Sequence, residues 1–147
     1  MTLEGLEAIG DLEKLPMNSE EILELLSRAE RKLADSCIKG NSNETRIALA
    51  YTVILICATI ALRASGYRVK NKQEFHYIAI ETLRYTLKVQ QQQIDYFQDL
   101  REKRHHDLYG GSLFIMENDV EEAIQEANAL LKLTKTWLKD NNSDLLR

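Results

Sequence analysis

The sequence predicts an all-α protein, an up-and-down four-helix bundle preceded by a short N-terminal helix. Three observations carry that expectation. One proline and six glycines leave too few chain breakers for the many turns of an all-β fold. Apolar residues recur at three- and four-residue steps through most of the chain, the spacing of a helical stripe. The stripes are joined by short polar breaks, the connections an up-and-down bundle needs. With 147 residues, 44% of them hydrophobic, the chain has material for one core rather than two.

Residues 1–17 read as a short helix or arm. Leu3, Leu6 and Leu12 share a side between residues 3 and 14, Gly5 and Gly10 interrupt it, and Pro16 ends it. The bundle proper is expected over 18–140. Asn18 followed by Glu21 has the spacing of a capping box, in which each side chain satisfies a free backbone N–H at a helix start. The helix that follows carries Ile22, Leu25, Leu26, Ala29, Leu33 and Cys37 on one stripe. After a turn at Gly40–Asn43, no charge occurs between Arg46 and Arg63, and Ser65–Gly66 reads as a stop. That apolar run is shorter than the roughly 20 residues a bilayer span needs. It is expected to be a central helix that also lines an oligomer interface.

Arg63, Arg68, Lys70 and Lys72 then fall in one predicted loop, whose plain reading is a solvated basic segment. A third helix over Gln73–Leu87 presents Phe75, Ile78, Ala79, Leu83 and Leu87. His76 lies within it and receives no role, because no second ligand stands at metal spacing. Gln90–Gln93 marks the turn into the next helix, whose buried side is Ile94, Phe97, Leu100 and Leu108. Asn118 and Glu121 repeat the capping-box spacing ahead of a long last helix carrying Val120, Ile124, Ala127, Leu131 and Leu138. Residues 141–147 read as a frayed tail.

The net charge of −4 gives the surface no general attraction for phosphate, so nucleic acid would have to meet a local basic patch. Cys37 and Cys57 each read as a small hydrophobe inside a helix, which suits a reducing compartment. The first residues are acidic at Glu4, Glu7, Asp11 and Glu13, unlike a secretory signal. The expectation is a cytoplasmic protein without membrane association.

Titratable and cationic chemistry concentrates in Phe97–Gly111. Arg101, Lys103, Arg104, His105 and His106 follow one another with only Glu102 between them, and Tyr109, Gly110 and Gly111 close the segment. Adjacent ligands on a helix diverge by about 100°, so His105, His106 and Asp107 do not make a metal site. No cofactor is expected. The plain alternative pairs Arg101 and Arg104 with Asp99, Glu102 or Asp107, with Tyr109 as a hydrogen-bonding anchor.

Arg101-Glu-Lys-Arg-His-His106 resembles the Arg-x4-6-His signature of the HEPN domains (higher eukaryotes and prokaryotes nucleotide-binding), which are small helical bundles. The segment from Ala50 to Arg68, an apolar helix ending in Gly-Tyr-Arg, is similar to one bacterial subgroup. The resemblance implies a homodimer in which two signature helices meet, and a toxin–antitoxin or defence setting. In active members it implies a metal-independent endoribonuclease; other members only bind. Arg101 and His106 would then be catalytic, with Lys103, Arg104 and Arg68 contacting phosphate. Glu102 departs from the small polar residue usual after the signature arginine. The alternative register, Arg104-His105-x3-Tyr109, puts tyrosine in the histidine position, where its pKa near 10 makes it a poor proton carrier. The non-catalytic reading is a module that binds a nucleotide or a protein, such as a nucleotidyltransferase or an antitoxin; a plain dimeric scaffold is the third.

Residues five apart on one helix point about 140° from each other. Arg101 and His106 therefore meet one small substrate only if the helix ends between them or if two chains contribute.

Overall fold

The computed structural model describes residues 1–108 and 115–142, and of 105–108 the backbone alone. Tyr109, Gly110 and Gly111 lie outside the described residues, as do 143–147. The chain is mostly helical. In order it forms α1 (Leu3–Ala8), β1 (Leu12–Lys14), α2 (Ser19–Ser36), α3 (Asn43–Ala64), β2 (Tyr67–Val69), a 3-10 turn (Lys72–Glu74), α4 (Phe75–Thr86), α5 (Gln91–Leu108) and α6 (Glu117–Asn141). Five of these helices have twelve residues or more, one more than a four-helix bundle holds.

α3 is the axis of the molecule, packed most extensively against α2 and α6 and also against α4 and α5. Its 22 residues are long and apolar enough to cross a membrane by length and composition. Here its sides are covered by protein: Ala50, Tyr51, Val53, Ile54, Cys57, Ala58, Ile60 and Ala61 are all buried. One stripe of α3, formed by Ala48, Thr52, Leu55 and Thr59, stays half-buried.

Asn18 caps α2 as the sequence suggests, its Oδ1 accepting from the N–H groups of Glu20 and Glu21 at 3.0 and 3.2 Å. The other half of the expected box is absent, because the Glu21 carboxylate is taken by Arg63 instead. Asn18→Ala is expected to cost about 1 kcal/mol in urea unfolding, the usual worth of such a cap. At the far end of α2, Cys37 stands exposed at the C-cap rather than inside the helix. Cys57 is fully buried on α3, and burial pushes its thiol up to about 12.

α6 begins two residues before the expected Asn118 start. Met116 is its N-cap, and the Asp119 carboxylate accepts the Met116 N–H at 3.0 Å. α3 ends where expected, at Ser65, and Gly66 follows at φ +87°, a left-handed conformation that side chains rarely adopt.

The first seventeen residues are tied into the fold. Between residues 10 and 15 the expected helix gives way to β1, which pairs antiparallel with β2 in the register Leu12↔Val69, Glu13↔Arg68, Lys14↔Tyr67. Leu12, Tyr67 and Val69 turn inward and are buried, while the opposite charges of Glu13 and Arg68 face each other on the outer side at 2.6 Å.

Arg63 makes the second tie. Read from the sequence as part of a solvated loop, it lies inside the last turn of α3 with its side chain 5% exposed. Its Nε donates to Glu21 Oε1 at 2.8 Å, Nη1 to the carbonyls of Leu15 and Tyr67, and Nη2 to the carbonyl of Pro16. Arg46 does the same work at the other end of α3, donating to the Ser36 carbonyl at 2.9 Å and to Glu117 at 3.2 Å. Both charges that bracket the apolar run are therefore buried anchors.

Candidate functional site

α5 runs unbroken from Gln91 to Leu108, through both Arg101 and His106. The helix does not end between them, so of the two ways those residues could meet one substrate, only the contribution of a second chain remains. The side chains of His105 and His106 lie outside the described part, and so does Tyr109.

The described arginines of α5 reach across to α3 and α4. The Arg104 guanidinium sits 5.6 Å from the ring centroid of Tyr51 on α3, and that of Arg101 sits 5.5 Å from the ring of Tyr77 on α4. At such distances a cation is drawn to the negative face of the ring. Arg101 is further fixed through Gln98, whose Oε1 accepts from its Nε at 2.7 Å. Gln98 in turn donates to the Tyr77 carbonyl and to Glu81 at 3.1 and 3.0 Å. The plain sequence reading survives in part, since Glu102 stands 3.6 Å from Arg101. Arg104 has no ion pair among the described residues.

His76, given no role from the sequence, joins this group. Its Nδ1 is 2.9 Å from the Tyr51 hydroxyl, and its ring centroid is 5.8 Å from those of both Tyr51 and Phe75. Burial holds its pKa below the usual 6.5, and the positive charges of Arg104 and Arg101 push the same way. The imidazole is thus neutral near pH 7. Burial pushes the Tyr51 phenol up to about 12 against the opposing pull of Arg101 and Arg104, so it stays protonated. When Tyr51 donates to Nδ1, His76 presents an Nε2–H; when Nδ1–H donates to the tyrosine oxygen, His76 presents a free Nε2 lone pair.

This arrangement also bears on stability. A histidine whose folded pKa is depressed contributes stability that is whole above the unfolded pKa of about 6.5 and is lost as pH falls toward the folded value. Urea unfolding midpoints are therefore expected to drop between pH 7.5 and pH 5.5, and His76→Gln is expected to flatten that drop.

Lys103 and Arg104 border a shallow hollow, between α3 and α5, that also touches Tyr51, Leu100 and Ile115. It has room for about 20 Å³, enough for one water, so any ligand of the arginines lies on the surface rather than in a pocket. Arg68, grouped with them by sequence, is placed elsewhere: it is held by Glu13 in the β1–β2 pair and lines a different cavity. Among the described residues no three His, Cys, Asp or Glu side chains gather as a metal site.

The basic and aromatic side chains brought together are Arg101 and Arg104 from α5, Tyr51 from α3, and His76 and Tyr77 from α4. His76 was legible only as a lone histidine, and the one signal for it would have been its position on a helix beside Tyr77. Compared with protein-family models, with curated proteins and with solved structures, the chain finds no significant match.

Proposed function

We propose that this protein is a HEPN-type module of the toxin–antitoxin or defence kind, a cytoplasmic homodimer that cuts RNA without a metal. An up-and-down arrangement of four of the five long helices, as expected of such domains, belongs to the same proposal, with α5 as the signature helix. One observation carries it: two arginines one turn apart on α5 converge on two tyrosine rings and a neutral histidine. Guanidinium groups bind phosphate and aromatic faces stack bases, the combination used for single-stranded nucleic acid.

In the reaction, the ribose 2′-oxygen attacks the adjacent phosphorus while its proton passes to a neutral imidazole. A neutral His76 offers the lone pair for that step at Nε2 when its Nδ1–H donates to the Tyr51 oxygen. Arg101 and Arg104 stabilise the charge that develops on the phosphorane oxygens. The leaving 5′-oxygen takes its proton from a second acid, His106 in the register read from the sequence, contributed by the second chain of the dimer. The products are a 2′,3′-cyclic phosphate and a 5′-hydroxyl.

The test is RNA cleavage in excess chelator by wild type, His76→Ala, His106→Ala and Arg101→Ala, with the cyclic phosphate end identified. Cleavage that survives all three substitutions rejects the assignment.

A second reading is favoured by how fully the site satisfies itself. Tyr51 already occupies His76 Nδ1, and Arg101 already holds Gln98 and Glu102. Such a surface suits a non-catalytic module that holds a nucleotide or a partner such as a nucleotidyltransferase or antitoxin. RNA binding without cleavage in the same assay selects it.

A further inference from the structure

We propose that the cavity lined by Leu15, β2, α3 and α4 binds a small lipophilic carboxylate. The cavity has a volume of about 420 Å³, within the range of roughly 300–1,000 Å³ typical of small-molecule sites. Its walls are Leu15, Leu62, Val69, Phe75 and Ala79. Thr59 also lines it, but its hydroxyl is spent on the Leu55 carbonyl at 2.9 Å, which leaves its methyl as the group free to pack against a ligand.

The charged lining selects the head group. Arg63, Arg68 and Lys72 face one carboxylate, Glu21, a net positive margin in a protein whose overall charge is −4. Arg63 neutralises Glu21 and is otherwise committed to backbone carbonyls. Arg68 is shared with Glu13, and its side chain is 54% exposed. Lys72 is exposed and has no ion pair among the described residues. An anion seated at Arg68 and Lys72 can therefore bury an apolar body beneath it.

The same walls argue against a nucleotide. A base entering the cavity would lose water from its ring nitrogens and exocyclic groups and meet no free donor or acceptor on Leu15, Leu62, Val69, Phe75 or Ala79. This site is thus chemically distinct from the arginine surface of α5, and it does not rest on the reading of that surface.

Sodium decanoate, 1-decanol and AMP are the probes, each titrated into the full chain and followed by calorimetry and by the amide resonances of Val69 and Phe75. Decanoate is expected to bind saturably at one per chain, with decanol about fivefold weaker for want of the charge. AMP is expected to leave both resonances unmoved. Thr59→Phe, which fills the cavity and gives up only a side-chain bond to its own helix, should abolish decanoate binding. Lys72→Glu, at an exposed position, should weaken it about fivefold with the fold intact. Unsaturable decanoate uptake, binding unchanged in either variant, or AMP displacing decanoate overturns the proposal.

Discussion

Arg63→Met is expected to lower the unfolding free energy by about 3 kcal/mol, the largest effect of any single substitution considered for this fold. The side chain is 5% exposed, whereas its partner Glu21 is 43% exposed. The stranded carboxylate can therefore recover water, which places the loss at the lower end for a broken buried pair. What cannot be recovered are the bonds to the carbonyls of Leu15, Pro16 and Tyr67, at about 1 kcal/mol each. For a chain of this size the midpoint of thermal unfolding should fall by roughly 9 °C. Glu21→Gln should cost far less, because the carbonyl bonds remain. If calorimetry finds the two variants equally stable, the carbonyl contacts of Arg63 are not what fastens residues 11–17 to α3.

In the proposed cleavage reaction, Arg104→Ala is expected to lower the rate by about 10²–10³-fold, the usual loss when one donor to a developing oxyanion is removed. Arg104 is exposed and makes no ion pair among the described residues, so its loss should leave the unfolding midpoint nearly unchanged. Arg104→Lys keeps the charge but not the planar group over Tyr51, and should fall between the two. A wild-type rate in Arg104→Ala, measured under single-turnover conditions with chelator, removes this residue from the chemistry. Arg101→Ala is the less clean probe, since it also frees Gln98 from its place between α4 and α5.

The parts of the fold visible in the sequence are those set by neighbours along the chain. Asn18 before α2 and Ser65–Gly66 after α3 are local signals, and the apolar stripes of α4 and α6 follow directly from helical spacing. β1 and β2 were not visible because each has three residues and their pairing joins Glu13 to Arg68 across most of the first half of the chain. Arg63 looked solvated because the carbonyls that hold it belong to Leu15 and Pro16, far upstream. The stripes from Ile22 to Leu138 extend over five helices, and spacing along the chain does not say how many of them share one bundle.

The site divides the same way. Arg101 and Arg104 drew notice because they lie in one charged run. His76 did not, because what sets its state is the Tyr51 hydroxyl on α3 and the arginines of α5. Arg68 was grouped with them through charge alone, and its cross-strand partner Glu13 holds it elsewhere. Periodicity places a residue on a face of its own helix, and it does not say which faces of other helices that residue will meet.

RNA affinity measured against salt concentration tests the arginine surface most directly. A fluorescent single-stranded RNA is titrated with wild type and with the double variant Arg101→Ala/Arg104→Ala, by anisotropy, between 50 and 200 mM salt as roughly the working range of counterion release. Loss of two phosphate contacts per protomer should weaken binding and reduce the slope of log affinity against log salt by about 1.4 for each protomer that the RNA contacts. Equal affinity and equal slope in the two proteins would contradict it, and would mean that Arg101 and Arg104 serve only their contacts within the chain.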